Sequence, residues 1–233
     1  MKLKLIWRRI PTIYRYMFGG FVLTINAGFI NVVALLSAFS QPVSHLTGIT
    51  SHLAISLVDD RSQIVPLVLI IVCFVTGSAM SGLIVDSTQL RFGRRYGGIL
   101  LLEGGVLATA VPLLTLNSWL GIYAMTLACG MQNGMVTTYS GAIVRTSHIT
   151  GLMTDLGIYF GKWVLRRERK SWQAQMYLTL FFGFLLGGVV GTLMFDSWGN
   201  DALYFAAVLT GSLGFGYWLW RQTLAFQIEK GEE

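Results

Sequence analysis

Residues 44–53 read Ser-His-Leu-Thr-Gly-Ile-Thr-Ser-His-Leu, and residues 147–156 read Ser-His-Ile-Thr-Gly-Leu-Met-Thr-Asp-Leu. One polar, glycine-broken motif is thus written twice in a chain of 233 residues that is otherwise strongly apolar. Around the two copies 54% of residues are hydrophobic and 12% charged, against about 25% charged in soluble domains, which is the composition of a membrane protein. Six nearly uncharged stretches, 18–39, 64–85, 97–116, 119–140, 176–195 and 203–220, are each about long enough to cross a ~30 Å hydrocarbon core as a helix. Glycine is in excess over the roughly 7% norm, and Gly183, Gly187 and Gly191 form a small-xxx-small ladder of the kind that brings helices together in lipid.

Charge decides how the two motif segments, about 45–58 and 148–161, are read. If neither crosses the bilayer, the chain has six spans with both termini cytoplasmic, and 16 of its 17 Lys and Arg lie inside, with Arg61 alone outside. Asp59, Asp60, Asp196 and Asp201 then fall in outer loops. If both cross, Arg91, Arg94, Arg95 and Arg145 move outside. A 14-residue helix is also only ~21 Å long, short of the core thickness. The segments are therefore read as half-length helices, re-entrant toward the midplane or, alternatively, amphipathic and lying in the interface. The basic N-terminus, Lys2 to Arg15, precedes the first apolar run without a small-residue cleavage site and is expected to lead into a retained span.

Six spans divide three plus three, and an odd number per repeat turns the second repeat upside down. The expected architecture is an all-α membrane protein, one domain over 1–233, with repeat one at 17–117, repeat two at 118–222, and a half-length helix after the first span of each. Ala27-Gly28-Phe29-Ile30-Asn31 aligns with Cys129-Gly130-Met131-Gln132-Asn133, with one residue of slippage, and Gly82 to Asp86 echoes Gly191 to Asp196. In such a repeat the motifs enter from opposite faces and point helix N-termini, with their unpaired N–H groups, toward the midplane. That arrangement suits a small polar solute and favours anionic groups. His45, Gly48 and His52 share one helix face, as do His148, Gly151 and Asp155, while Thr47 with Ser51 and Thr150 with Thr154 form i, i+4 pairs. Ser and Thr at the motif start are expected to cap the short helices. Asn31, Gln132 and Asn133 join these as candidate solute-binding residues. The two-fold relation is expected to bring Gly48 toward Gly151 and His52 toward Asp155.

From Met131-Gln132-Asn133 and Arg145-Thr-Ser-His-Ile-Thr-Gly-Leu-Met-Thr-Asp-Leu-Gly157, the chain resembles the YoaK-like bacterial membrane proteins, a domain family of unknown function. The resemblance implies a six-span protein of the bacterial inner membrane and brings no substrate with it. A second, fainter one concerns Gly82 to Arg95, which is similar to the loop between spans 2 and 3 of major facilitator transporters. It implies a gating role for Asp86, Arg91, Arg94 and Arg95. A facilitator half is itself a three-plus-three inverted repeat, so on this likeness two copies, a homodimer, complete the pathway.

Glu103 is the single charged residue inside the six spans, and an intramembrane carboxylate reads as a coupling group or a salt-bridge member. Cys73 and Cys129 offer neither a disulfide framework nor a zinc spacing, and no metal or cofactor is implied. The chain lacks HExxH, GxSxG, GxxxxGK[ST] and GxGxxG signatures, and Ser147 and His148, being adjacent, point apart on a helix; an enzyme is not expected. The net charge of +6 lies in loops beside apolar spans, where topology explains it better than nucleic acid does. The expected function is a transporter or channel-like permease for a small polar solute. The alternative is a membrane scaffold or assembly protein whose polar motifs only pack helices.

Overall fold

The computed structural model describes residues 12–85, 96–140, 145–165 and 171–229. Among them the structure is all helical: α1 Thr12–Leu36, α2 Leu46–Val58, α3 Ile64–Ile84, α4 Tyr96–Thr115, α5 Trp119–Ser140, α6 Ile149–Val164, α7 Ser171–Trp198 and α8 Leu203–Glu229. Short 3-10 turns at Arg61–Gln63 and Gly199–Ala202 lead into α3 and α8. A chain this apolar satisfies its backbone within each segment, because no water is at hand in hydrocarbon to pair stray N–H and C=O groups.

Among the described residues four stretches are long and apolar enough to cross a membrane: Met17–Leu36, Arg61–Ile84, Tyr96–Thr115 and the 53-residue Ser171–Thr223, which contains α7, its 3-10 turn and most of α8. The fourth span expected from sequence, α5, is a helix of 22 residues but stands outside this set. Its composition explains why. Thr126, Gln132, Asn133 and Thr138 dilute its apolar character, and they face packed protein: Thr126 and Gln132 are fully buried. The outer faces of α3 and α7, by contrast, are apolar, with Val65, Val72, Val75 and Leu83 on one and Phe182, Leu185, Val189 and Leu193 on the other exposed. Such surfaces fit a lipid environment.

The long helices pack in pairs, α1 with α7, α3 with α5, and α4 with α8, and α4 also packs along α5. Glycine makes the first two pairings close. A Cβ added at Gly28 of α1 would meet the Phe184 carbonyl of α7, and one at Gly187 of α7 would meet the Ile25 carbonyl of α1. In the other pair, a Cβ at Gly130 of α5 would meet the Phe74 carbonyl of α3, and one at Gly77 of α3 the Leu127 carbonyl of α5. The expected ladder is present: Gly183, Gly187 and Gly191 sit against Phe21, Ile25 and Phe29, successive turns of one face of α1. Where Gly191 lies on Phe29, the other pair has Ser81 Oγ donating to the Met131 carbonyl at 2.6 Å.

Two apolar clusters fill the interior. One includes Phe29, Val33, Ile49, Leu67, Leu107, Leu114, Ile122 and Leu203, and the other Met17, Leu23, Tyr96, Ile99, Met131, Met135, Leu152 and Met176. Along α1 they divide between Leu23 and Phe29, and along α4 between Leu100 and Leu107. A polar layer occupies that division, at Asn26 and Glu103.

Candidate functional site

The short helices start deep in the bundle. Asn31, five residues before the end of α1, accepts from the Ser44 backbone N–H at 3.3 Å and from the Ser44 hydroxyl at 2.9 Å. The connection from Leu36 therefore folds back along α1 before α2 begins. Asn133 of α5 does the same for α6, with its Oδ1 accepting from Thr146 Oγ1 at 3.3 Å and Ser147 Oγ at 3.0 Å. At 13 and 16 residues, α2 and α6 are about 20 and 24 Å long. Half-length segments are thus what the chain forms, α6 running three residues past the expected end at 161. Asn31 and Asn133, expected to touch solute, spend their carbonyl oxygens on these tethers.

The capping expectation is corrected. The N-cap residues are His45 and His148, and neither makes a side-chain cap bond. Ser44 and Ser147 lie one residue too early and bind the span asparagines instead. The i, i+4 pairs form, but Ser51 Oγ donates to the Thr47 carbonyl at 3.0 Å and Thr154 Oγ1 to the Thr150 carbonyl at 2.9 Å, so these hydroxyl protons serve their own helices.

The copies differ in what surrounds the histidine. His45 is half-buried, its ring edge-on to Phe184 at 5.7 Å. His148 is exposed, with its Nδ1 3.2 Å from Arg145 Nη1. A guanidinium can only donate, so a hydrogen bond across this contact needs Nδ1 as the acceptor. A Cβ at Gly151 would collide with the His148 ring, so glycine there gives the histidine its position. At Gly48 a Cβ would only touch Pro42, at 3.8 Å.

A cavity of about 450 Å³ opens beside the second motif, lined by Arg145, His148, Thr150, Gly151, Leu152, Thr154 and Asp155. A neighbouring cavity of about 160 Å³ shares Asp155 and adds Tyr159, Lys162, Gln173 and Tyr177. Five of the expected residues, His148, Thr150, Gly151, Thr154 and Asp155, are therefore brought together, and sequence reasoning missed Arg145 as their partner. Its position three residues before His148 was the signal, masked by its service as a topology charge. The first motif contributes nothing to either lining, and Thr47, Ser51 and His52 are exposed. Gly48 and Gly151 are not in contact, the one facing Pro42 and the other His148, and no hydrogen bond or ion pair joins the two motifs among the described residues. The expected gating residues Asp86, Arg91, Arg94 and Arg95 lie outside the described residues.

Gln132 belongs elsewhere. Its Nε2 donates to the Leu23 carbonyl at 2.8 Å, and its Oε1 lies 3.2 Å from Asn26 Nδ2 in the buried polar layer. Asn26 also reaches Thr210 Oγ1 at 2.9 Å and Glu103 Oε1 at 3.4 Å. Asn26 and Thr210 went unremarked in the sequence because a single amide or hydroxyl in an apolar span carries no spacing signal.

Comparison with curated proteins gives no match, and neither does comparison with solved structures. A family model does match, over residues 19–215, a range holding both motifs, both asparagine tethers and the buried polar layer. The chain belongs to the family described as "Protein of unknown function (DUF1275)".

Proposed function

We propose that the protein is a permease for a small polar solute in the bacterial inner membrane, built from two inverted repeats of three spans, 17–117 and 118–222. The spans are α1, α3, α4 and α5, α7, α8; α2 and α6 re-enter from opposite faces, and both termini are cytoplasmic. One observation carries the reading: contacts recur with the repeats exchanged. Adding 102 within the first span and 110 within the second and third turns Gly28 on Phe184 into Gly130 on Phe74, and Ile25 under Gly187 into Leu127 under Gly77. The same offsets turn Gly214 against the Gly97 carbonyl into Gly104 against the Ala207 carbonyl. Three spans per repeat make the repeats antiparallel, which is the architecture of many secondary transporters.

The unequal motifs support two-sided access. On the outer side His45 is packed on Phe184, and on the inner side His148 stands free of Phe74 beside an open cavity. Exchange of these two environments between repeats is the motion alternating access requires. The cavity holds a helix N-terminus and Arg145 for an anionic group, with Asp155 for a solute that also carries a cationic one. The scaffold reading draws on a different observation, the use of Asn31 and Asn133 as internal tethers.

Flux separates the two. Purified protein in liposomes should take up at least one of labelled phosphate, sulfate, acetate, lactate or glycine saturably, and Arg145→Gln should lower that uptake. Uptake equal to that of empty liposomes across the series favours the scaffold.

A further inference from the structure

Four polar side chains from four helices meet in the layer between the two apolar clusters: Asn26 of α1, Glu103 of α4, Gln132 of α5 and Thr210 of α8, none more than 1% exposed. Their hydrogen-bond accounting does not close. Asn26 Nδ2 has two hydrogens and three oxygens within reach, and the Glu103 contact is the longest of the three. Thr210 Oγ1 gives its own proton to the Ala206 carbonyl at 2.8 Å, and Gln132 Nε2 is spent on Leu23. Two buried atoms have no partner at all, Asn26 Oδ1 and Glu103 Oε2. One lacks a donor, and the other is a carboxyl oxygen able to carry a proton.

An ionised Glu103 in this setting would hold a buried charge on one long hydrogen bond. Among the described residues no Lys or Arg bonds to Glu103, Arg221 being exposed toward the end of α8, and an uncompensated buried charge costs several kcal/mol. The surrounding helices also carry a buried thiol, Cys129, three residues before Gln132 on α5; α1 and α8 present Asn26 and Thr210, which do not titrate. A protonated Glu103 removes the charge, keeps Oε1 as the acceptor for Asn26 Nδ2 and carries the proton on the unpartnered Oε2.

We propose that Glu103 with Asn26 is a proton-binding site at the junction of the two repeats, loaded in this closed packing. The amide of Asn26 serves both charge states: with Nδ2 toward Glu103, as here, it donates to the C=O oxygen of the carboxyl or to the carboxylate, and turned over it would accept the carboxyl proton on Oδ1. Unloading transfers the proton from the carboxyl oxygen to a water molecule, leaving carboxylate and hydronium, and therefore requires water to reach the layer. That entry parts α1 and α5 from α4 and α8, the same movement that exchanges the repeats. The role in transport rests on the permease reading, while the proton site itself does not.

Infrared spectroscopy tests the site directly, on the full chain in liposomes of ether-linked lipid, which has no ester carbonyl. At pH 7 the surface carboxylates are ionised, and the wild type should show a carboxylic C=O band that shifts in heavy water. Glu103→Gln should lose this band, and Asn26→Leu, which leaves the carboxyl in place, should shift its frequency. A wild type without the band at pH 7, or a band unchanged in both variants, overturns the proposal. Should Glu103→Gln fail to fold, the Asn26→Leu frequency decides. Solute uptake by the same liposomes reports on the permease reading separately: uptake without the band removes the proton site alone, and the band without uptake leaves a buried acid in a protein that does not transport.

Discussion

Asn31 accepts two hydrogen bonds from a single residue, Ser44, through the backbone amide and through the hydroxyl. This one amide fixes how deep α2 begins, because it holds the chain 13 residues downstream against the body of α1. Truncation leaves the Ser44 N–H and hydroxyl buried without a partner, a loss of about 1–3 kcal/mol. Asn31→Ala should lower the thermal midpoint in detergent. Asn133→Ala should lower it less, since Asn133 is only half-buried and its bonds go to side chains alone.

Glycines divide by what surrounds them. Gly28→Ala and Gly187→Ala force a methyl onto a backbone carbonyl of the paired helix, which cannot swing aside as a side chain can; about 1–3 kcal/mol of destabilisation follows. Gly105, on α4 with open space around it, gains helix propensity, and Gly105→Ala should leave stability unchanged or raise it by up to about 1 kcal/mol, with the midpoint following. Thermal unfolding of the three variants side by side checks the contrast.

At the cavity, Gly151→Ala pushes the His148 ring off its contact with Arg145, whereas Gly48→Ala meets only Pro42. Solute uptake should fall about tenfold in the first, the worth of one hydrogen bond from a charged group, and change little in the second. Equal behaviour would mean that the two motifs contribute alike and that the His148 environment is irrelevant.

Asp60 accepts from the Ser62 backbone N–H at 2.9 Å and from the Ser62 hydroxyl at 2.8 Å, and these bonds, the backbone one foremost, hold its pKa below the ordinary carboxylate value. A carboxyl whose folded pKa is depressed contributes stability above its unfolded pKa and loses it as pH falls through the folded one. The window lies at and below the ordinary value of 3.8. Ser62→Ala should move the Asp60 midpoint, read from its carboxyl carbon chemical shift, back up toward that value; Asp60 is fully exposed, so the effect stays local.

What the sequence made legible were features written in periodic or repeated form. Apolar runs announced the long helices, and the duplicated Thr-Gly motif announced two short ones. Polar residues lacking a repeat were not legible: the offsets that align the repeats set Asn26 against Ala128 and Glu103 against Leu213, so the polar layer left no duplicated trace. Duplication also misled. Asn31 and Asn133 recur because each repeat needs its tether, which serves packing as well as solute. Among the described residues no hydrogen bond or ion pair joins His52 to Asp155: positions that match in two copies of a motif need not touch, and α4 and α8 are the matched helices that pack closely.

The central claim is that α2 and α6 enter from opposite faces of one membrane, and side-specific labelling tests it most directly. Val58 and Leu165 stand exposed at and just beyond the C-terminal ends of the two short helices. In a Cys73→Ala, Cys129→Ala background, Val58→Cys should react with an impermeant maleimide applied to intact cells and not to inside-out vesicles, and Leu165→Cys should do the reverse. Labelling of both positions from the same side would contradict the inverted repeat and, with it, the permease.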